Sequence, residues 1–462
     1  MMKKSGQSQF LPAFLLLAGL AALGWSLEHY AGAAISPYLL RGLRWAALLA
    51  FCGYAFFRRS LTTWIAVGIL AGAEIGYEWP HFAASLQVLS AIFLRLIRTI
   101  VAPLIFSTLV VGIAGHSNLK QVGRMGIKAL LYFELVTTIA LFIGLAAINL
   151  SKAGVGITPP ANAAAPAQVQ KQTASDVILH VFPENIAKSV AENQILQVVV
   201  FSIIFAIALA LVEEKKRRPV LGFMEGFSET MFKFTNIVML FAPLAVCGAI
   251  AYTVSTMGFG VLVNLLKLVA TLYAALVVFV LGVFLPVALI ARLPLRRFVK
   301  AIAEPASIAF ATASSEAALP RAMESMEAFG VPRQIVAFVL PTGYSFNLDG
   351  STLYLSLAAI FVAQAAGIHL TFGEQLILVF TLMLTSKGIA GVPRAMLVVL
   401  MATADSFHLP AWPVFIILGV DQLMDMARTS INVVGNCLAT AVIARWEGEF
   451  DTNVPSPAIV EP

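Results

Sequence analysis

The sequence predicts an all-α polytopic membrane protein, and its composition and the length of its apolar segments are the observations that predict it. Of the 462 residues, 60% are hydrophobic and only 12% are charged, and the mean hydropathy is +0.89. Soluble domains carry about 25% charged residues, whereas a helix needs about 20 apolar residues to cross a bilayer. The net charge of +6 comes from basic residues at the ends of apolar segments, which indicates membrane topology rather than nucleic-acid binding.

Apolar segments follow one another along most of the chain. Continuous segments of membrane length lie at about 10–30, 38–57, 61–78, 86–115, 128–150, 194–212, 222–254, 258–291, 332–366 and 411–446. Two further apolar stretches, about 298–330 and 371–408, are interrupted by polar or glycine-containing clusters. The region 151–190 is rich in Ala, Pro, Gln and Thr and is predicted to be an external loop. Residues 447–462 are predicted to form a short polar tail.

Basic clusters predict which ends of the spans face the cytoplasm. They are Arg58-Arg59, 120–128, 215–218 and 296–300. Because these clusters follow every second span and cytoplasmic loops are enriched in Lys and Arg, both termini are predicted to lie on the cytoplasmic side of the plasma membrane. Residues 1–59 are interpreted as extra N-terminal membrane spans, and Arg41 and Arg44 between them depart from the charge pattern.

Three segments are predicted to interrupt helical continuity at membrane depth. They are 312–316 (TASSE), 343–351 (GYSFNLDGS) and 386–393 (SKGIAGVP). Lipid cannot satisfy free backbone N–H and C=O groups, so non-helical backbone is tolerated there only inside protein or beside a cavity. In transporters, interrupted helices direct half-helix N-termini at anions and free carbonyl groups at cations. The three segments together therefore predict a binding site, while a simple kink is the alternative for any one of them.

One helical segment, about 412–446, carries a polar face in an otherwise apolar sequence. The face consists of Asp421, Asp425, Arg428, Thr429, Asn432 and Asn436. Their spacing places them on one side of a helix, and ionisable residues in a membrane helix usually face a bundle interior or a water-filled site. A face with both signs of charge suits a ligand that is itself zwitterionic and acidic. This face is the predicted substrate site.

Four strings resemble those of the dicarboxylate/amino acid:cation symporters, a family that includes glutamate and aspartate transporters. They are SSEAALPR, PTGYSFNLDGSTLY, TSKGIAGVP and DQLMDMARTSINVVGN, and the resemblance covers about residues 60–446 in matching order. It implies a glutamate-transporter-like fold with two re-entrant hairpins, broken helices and inverted repeats, a homotrimer in the lipid bilayer, and an elevator movement. It also implies mainly scaffold helices over 60–295, of which about 121–150 and 258–291 join the transport core, and a transport core with the substrate site over 296–446.

The resemblance also assigns roles to the polar face. Arg428 is expected to hold the side-chain carboxylate of aspartate or glutamate, since a guanidinium can bind a carboxylate through two parallel hydrogen bonds. Asp425 is expected to hold the substrate ammonium group; the alternative is that Asp425 and Arg428 form only a structural ion pair. The other expected substrate contacts are Thr429, Asn432, Ser315, Ser351, Val392 and Met396. A symporter of four-carbon dicarboxylates, which lack the ammonium group, is the second interpretation.

Oxygen donors near the interruptions indicate sites for co-transported cations. By resemblance, the candidate sodium ligands are Gly343, Asn347, Asp349, Asn432, Asn436, Thr137, Thr138 and Ser386. Sodium-coupled relatives carry an aspartate at the position of Asn436 and a methionine at that of Leu348, so sodium coupling, proton coupling or both remain open. Glu134 lies inside a predicted span and is the candidate proton carrier, since an acid removed from water binds a proton more readily. Arg394 is unusual where relatives carry a small residue; it replaces a cation, contacts the substrate or faces water.

Other classes of protein receive less support. The six histidines are scattered without metal-ligand spacing, and Ser314 and Ser315 have no His or Lys nearby in the sequence to act as a base. The three cysteines lie in apolar stretches and match no metal or disulfide pattern. The chain is therefore not expected to be an enzyme or to use a cofactor, and H+ and/or Na+ are the expected co-transported ions. A passive channel is the remaining alternative.

Overall fold

The computed structural model of the chain describes residues 2–31, 35–114, 119–159, 182–192, 194–385, 395–407 and 409–451. These residues are almost entirely helical, as predicted. They belong to two compact units. The first unit consists of Met1–Leu94 and Ile237–Leu262, and the second consists of Arg95–Asn236 and Val263–Pro462.

The first unit combines the N-terminal helices with one later helix. Its helices are α1 (Met2–Ala31), α2 (Pro37–Arg58), α3 (Leu61–Glu78), α4 (Pro80–Ser85) and α10 (Ala242–Met257). α1 packs along α2, α2 packs along α3, and α3 packs closely along α10. The close approach of α3 to α10 depends on Gly68, Gly72 and Gly76, because a Cβ atom at any of them would collide with the α10 backbone.

Two basic residues of α2 are neutralised within this unit by carboxylates of α3. Arg44 Nε donates to Glu74 Oε1 at 2.8 Å, and Arg44 Nη2 donates to Glu78 Oε1 at 2.7 Å. Arg41 also forms an ion pair with Glu78. Each of these two positive charges therefore has a carboxylate partner on α3.

The second unit contains the remaining helices. They are α5 (Gln87–Ala114), α6 (Leu119–Ser151), α7 (Ile186–Ala191), α8 (Ile195–Leu211), α9 (Glu214–Met239), α11 (Gly260–Phe279), α12 (Leu285–Ile290), α13 (Leu295–Thr312), α14 (Ser315–Phe329), α15 (Arg333–Phe346), α16 (Asp349–Ala365), α17 (Phe372–Thr385), α18 (Ala395–Ser406) and α19 (Trp412–Glu447). A π-helical turn, Val280–Phe284, joins α11 to α12.

Helix α16 lies at the centre of the second unit. All of its residues except Gln364 are buried, and it packs against α6, α17, α18 and α19. A helix that is buried on every side forms part of a core rather than a lipid-facing surface. Its N-terminal end, which begins at Asp349, therefore lies inside protein, where polar groups need partners from neighbouring helices.

The first predicted interruption is confirmed, but it is shorter than predicted. Helix α13 ends at Thr312, and α14 begins three residues later. Ala313 between them has a left-handed backbone with φ of 51°. Ser314 caps the start of α14, since its hydroxyl accepts a hydrogen bond from the N–H of Ala317 at 3.3 Å. The two helices pack against each other as a helical hairpin.

The second predicted interruption is also confirmed in a shorter form. Only Asn347 and Leu348 separate α15 from α16, so the predicted break at 343–351 is helical except at these two residues. Asn347 ends α15 with its N–H donated to the Gly343 carbonyl at 2.7 Å. The third predicted interruption, 386–393, lies outside the described residues.

Six helical segments among the described residues are long and apolar enough to cross a membrane, or seven if one bent pair is counted as a single span. The six are Gln9–Tyr30, Pro37–Arg58, Pro80–Val111, Arg124–Ser151, Gly260–Ile290 and Arg333–Ala365. The prediction of one continuous segment at 222–254 is wrong, because α9 ends at Met239 and α10 begins at Ala242. Pro243 in the first turn of α10 explains the new start, since proline suits that position and cannot continue the preceding helix.

Candidate functional site

Asn432 joins the start of α16 to the middle of α19. Its side-chain oxygen accepts hydrogen bonds from the backbone N–H groups of Gly350 and Ser351 at 2.8 and 3.2 Å, and its amide donates to Ser351 Oγ at 2.9 Å. The first N–H groups of a helix have no partner within the helix, so an accepting side chain stabilises the helix start. Two predicted substrate contacts, Ser351 and Asn432, are thus brought together and bonded to each other.

Arg428 is buried between two carboxylates on the polar face of α19. Its Nε donates to Asp425 Oδ1 at 2.9 Å, and its Nη1 donates to Asp421 Oδ1 at 3.1 Å. The arginine side chain is only 1% exposed. Thr429 Oγ1 also donates to Asp425 Oδ1 at 3.1 Å, and the Tyr354 ring centre lies 4.1 Å from Arg428 Cζ. We call Asp421, Asp425 and Arg428 the charged cluster; two carboxylates and one guanidinium leave it with an excess of negative charge.

Two polar atoms of the charged cluster have no hydrogen-bond partner within the described residues. They are Nη2 of Arg428 and Oδ2 of Asp421, and both are buried. Leaving a buried polar group unpaired costs about 1–3 kcal/mol, and more when the group is charged. Native proteins rarely retain such groups without a reason, and a ligand-binding role is one such reason.

Asp421 was predicted to lie on the polar face of α19, but no contact was predicted for it. It precedes Arg428 by seven residues, or about two helical turns, so the two side chains share one face of α19. The spacing alone therefore contained the signal that the arginine has a second carboxylate partner. The structure adds that this pair is completely buried, with the Asp421 side chain 0% exposed.

Asn347, Asp349 and Asn436 form a second buried group, which we call the amide cluster. Asn347 Nδ2 donates to Asp349 Oδ2 and to Asn436 Oδ1, at 3.1 Å in each case. Asn347 Oδ1 and Asn436 Nδ2 have no hydrogen-bond partner within the part of the chain that is described. Gly343 lies beside this cluster, because a Cβ atom there would collide with the Asn436 side chain. Carboxylate and amide oxygens of this kind are hard donors that suit hard cations.

Helix α6 carries three of the residues that were predicted to serve the co-transported ions. Thr137 donates to the Phe133 carbonyl at 2.7 Å, and Thr138 donates to Met383 Sδ at 3.4 Å. Glu134 lies on the exposed side of the helix. Its role as a proton carrier stays a prediction.

Ser315 and Met396 are buried on helices that pack against α19. Ser315 is the first residue of α14, and α13 and α14 both pack on α19. Ser430 Oγ connects α19 to this hairpin by donating to the Ala306 carbonyl at 3.0 Å. Met396 lies in α18, which packs against α16 and α19. The other predicted site residues, which lie outside the described residues, are Ser386, Val392 and Arg394.

The C-terminal end of α19 is held by basic residues of α6. Lys128 Nζ donates to Glu447 Oε1 at 2.7 Å and to the Trp446 carbonyl at 3.0 Å, and Arg124 forms a further ion pair with Glu447. The hydrogen bond from Lys128, followed by that from Arg124, lowers the pKa of the Glu447 carboxyl. These contacts fix the end of the helix that carries the charged cluster.

The fold and these clusters define a class of protein. Helices of membrane length accompany two buried polar clusters, and four polar atoms of these clusters have no hydrogen-bond partner within the described residues: Arg428 Nη2, Asp421 Oδ2, Asn347 Oδ1 and Asn436 Nδ2. Among those residues, no group of three or more His, Cys, Asp or Glu side chains is placed to hold a metal ion. Buried ionisable groups in a helical membrane protein, next to broken helices, are typical of a transporter of charged solutes.

Residues 61–446 match the sodium:dicarboxylate symporter family. Because this match covers most of the chain, the chain belongs to that family. It is therefore a cation-coupled symporter of the membrane and not an enzyme. The match begins after α1 and α2, so these two helices lie outside the part that defines the family.

Relatives from several bacteria are similar over most of their lengths. The chain is 42% identical over 402 residues to a proton/sodium-glutamate symport protein of Bacillus subtilis (strain 168), covering 85% of this chain and 94% of the relative. It is 43% identical over 400 residues to a proton/glutamate-aspartate symporter of Escherichia coli (strain K12), covering 83% and 91%. It is also 41% identical over 405 residues to a C4-dicarboxylate transport protein of Burkholderia orbicola (strain MC0-3), covering 86% and 94%.

Proposed function

We propose that this chain takes up acidic amino acids, L-glutamate or L-aspartate, together with sodium ions, protons or both. The observation that carries the proposal is the charged cluster, in which a buried arginine between two carboxylates keeps one nitrogen without a partner among the described residues. An acidic amino acid has a carboxylate for the arginine and an ammonium group for a carboxylate. The side-chain carboxylate and the ammonium group of such a substrate thus each have a partner of opposite charge, and its α-carboxylate would meet the buried Ser315 at the start of α14.

Arg428 would bind the side-chain carboxylate of the substrate. Its Nη1 and Nη2 form the planar fork that suits a carboxylate; Nη2 lacks a hydrogen-bond partner within the described chain, and Nη1 donates to Asp421. An incoming carboxylate would bind Nη2 and replace Asp421 at Nη1, while Nε keeps its bond to Asp425. Asp421 thus holds the guanidinium in place before substrate arrives, which makes it a positioning residue.

Asp425 would bind the substrate ammonium group, with the Thr429 hydroxyl beside it. A structural ion pair between Asp425 and Arg428 is the alternative. It accounts for the bond at 2.9 Å, but it does not account for the additional buried atoms that lack partners within the described residues. Maintaining a buried ion pair for stability alone brings little net gain, since desolvation opposes the attraction. The incomplete pairing favours a site that is completed by its substrate.

The amide cluster would hold a co-transported cation. Asp349 supplies one negative charge, and Asn347 and Asn436 supply amide oxygens. In the structure the amide N–H group of Asn347 points at both neighbouring oxygens, so a cation would require this amide to turn its oxygen inward. With one carboxylate in the cluster, a single monovalent cation balances its charge. Glu134 is the proposed carrier if protons are coupled instead.

The wider architecture is proposed from the family resemblance together with the packing of the second unit. We propose that α13–α14 and α17–α18 are the two re-entrant hairpins, that α15–α16 and α19 complete the transport core, and that the chain forms a homotrimer working by an elevator movement. The packing of α13, α14 and α18 on α19 supports this grouping. Both termini are proposed to lie in the cytoplasm.

A symporter of four-carbon dicarboxylates is the second candidate function. It is favoured by the 41% identity to the Burkholderia C4-dicarboxylate transport protein, which is almost as high as that to the glutamate relatives. The charged cluster opposes it, because a dicarboxylate brings two negative charges and no positive charge to a group that already has an excess of negative charge.

Transport into proteoliposomes tests the proposal. Radiolabelled L-aspartate and L-glutamate are offered under an imposed pH gradient and, separately, under a sodium gradient, with malate and succinate as competitors. We expect accumulation of an acidic amino acid under at least one gradient and weak competition by the dicarboxylates. Accumulation of malate with no accumulation of either amino acid would overturn the proposal. Uptake that equilibrates without gradient-driven accumulation would indicate a channel.

A further inference from the structure

An apolar groove lies in the first unit, lined by α1, α2 and α3. Its volume is about 620 Å³, within the range of pockets that bind small molecules. Alanines of all three helices line it, namely Ala18, Ala21, Ala22, Ala47 and Ala73. Because alanine side chains are short, their alignment leaves space between the three helices, although α1 packs along α2 and α2 packs along α3.

One end of the groove is charged and aromatic. Arg44 and Glu74, which are hydrogen-bonded to each other, line this end together with Trp25 and Tyr77. The guanidinium of Arg44 also lies 5.2 Å from the Tyr77 ring centre. Trp and Tyr side chains are enriched where the hydrocarbon core of a membrane meets the headgroups. The residues at this end of the groove are therefore of the types that are found at the level of the lipid headgroups.

The other end of the groove is apolar. Phe14 lines this end and stacks on Phe51 with ring centres 4.5 Å apart. Trp25 follows Phe14 by eleven residues of the same helix, which corresponds to about 16 Å at the rise of an α-helix. This is about half of the hydrocarbon thickness of roughly 30 Å. A groove of this length accommodates the acyl chain of a lipid from one leaflet.

We propose that this groove binds a phospholipid with a zwitterionic ethanolamine headgroup. Its acyl chain would lie along the alanines, and its headgroup would meet Arg44 and Glu74, which line the aromatic end and are joined to the neighbouring Arg41 and Glu78 by ion pairs. Glu74, which lines the groove and whose side chain is 14% exposed, would attract the ammonium group, and Arg41, whose side chain is 52% exposed, would attract the phosphate. Two arginines and two glutamates have no net charge, so the set complements a zwitterion rather than an anionic headgroup.

The site is separate from the transport machinery described above. Part of it lies in α1 and α2, before the family match begins at residue 61. On the topology predicted from the basic clusters, it faces the outer leaflet. The two N-terminal helices thus have a role beyond anchoring, since they build a lipid site on the first unit. This inference does not depend on which substrate is transported.

Lipid retention by the purified full chain tests the proposal. The protein is delipidated in detergent, dioleoyl phosphatidylethanolamine, phosphatidylcholine or phosphatidylglycerol is added, and bound lipid is counted by native mass spectrometry. We expect phosphatidylethanolamine to bind about two- to fivefold more tightly than the other two, as one additional exposed charged contact predicts. Equal binding of phosphatidylglycerol would overturn the headgroup assignment.

Two matched variants locate the site. Ala22→Trp fills the groove, whereas Leu23→Trp adds the same ring on the neighbouring exposed residue, which does not line it. We expect phosphatidylethanolamine retention to fall at least fivefold in the first variant and to be unchanged in the second. Equal retention of phosphatidylethanolamine in both variants would refute the proposal. A change of oligomeric mass in Ala22→Trp with lipid retention intact would also refute it, because a second copy of the chain would then occupy the groove. Glu74→Gln, which leaves the groove open, should remove the preference over phosphatidylcholine.

Discussion

Asp425→Asn separates the two candidate substrates most sharply. The asparagine oxygen can still accept from Arg428 Nε and from Thr429 Oγ1, which lie 2.9 and 3.1 Å from Asp425 Oδ1. The substitution therefore preserves the local hydrogen bonds and removes one negative charge. An acidic amino acid loses the partner of its ammonium group. A dicarboxylate loses only a source of repulsion.

The size of the effect follows from the type of contact that is lost. A hydrogen bond to a charged group contributes about 1.5–3 kcal/mol, and every 1.4 kcal/mol is about tenfold in affinity. We therefore expect the apparent affinity for L-aspartate to fall about 10- to 100-fold in Asp425→Asn. Malate should compete better than in the wild type, because the variant leaves the charged cluster with one carboxylate and one guanidinium, and so without excess charge.

Competition in proteoliposomes measures both changes. Uptake of radiolabelled L-aspartate gives its apparent affinity, and inhibition by malate gives the relative affinity of a dicarboxylate. Asp421→Asn is the matched control, because Asp421 also loses one charge beside Arg428 but has no proposed contact with the ammonium group. By the same charge argument malate should also compete better in this control, but the control should not show the 10- to 100-fold loss of L-aspartate affinity that is expected of Asp425→Asn. An aspartate affinity that survives Asp425→Asn, in protein of unchanged melting temperature, would refute the assigned role.

Three further substitutions test the surroundings of the charged cluster. Asn436→Asp adds a carboxylate to the amide cluster, and we expect half-maximal uptake at lower external sodium; an unchanged sodium dependence would argue against a cation there. Asn432→Ala removes the acceptor at the start of α16 and should cost about 0.5–2 kcal/mol of stability, measured as a lower melting temperature in detergent. Glu447→Gln should cost at most about 1 kcal/mol. Because the pKa of Glu447 is lowered in the fold, its contribution is present above the pKa of the unfolded carboxyl and is lost as the pH falls through the folded value; wild type and variant should then melt alike in acid.

The polar face of α19 could be predicted because a helix fixes the positions of its own side chains. Asp421, Asp425 and Arg428 meet as expected from their spacing, and all are buried. The same local reasoning predicted the two described interruptions, since glycine and polar runs disfavour a continuous helix. It overestimated the length of both, because Gly343 and its neighbours remain helical up to Phe346. Propensity gives a boundary only to within a few residues.

Contacts between distant segments could not be predicted in the same way. Asn347 meets Asn436 across 89 residues of sequence, and Arg44 meets Glu74 across 30. Such pairs depend on how the helices pack, which apolar periodicity does not specify. The division of the predicted span 222–254 was missed because an uninterrupted run of apolar residues, 237–251, continues across the break. Pro243 was the available signal.

The two clusters are connected through a short path, which gives a physical basis for coupling cation binding to substrate binding. Asn347 lies two residues before the start of α16, and Asp349 is the first residue of that helix. The next two backbone N–H groups, of Gly350 and Ser351, donate to the Asn432 side chain. Asn432 lies one turn from Arg428 on α19. A cation in the amide cluster must break the two hydrogen bonds donated by the Asn347 amide, since that amide holds both neighbouring oxygens. Any shift of the start of α16 would then move Asn432, which lies one turn from Arg428. Asn432 thus connects the proposed cation site to the proposed substrate site.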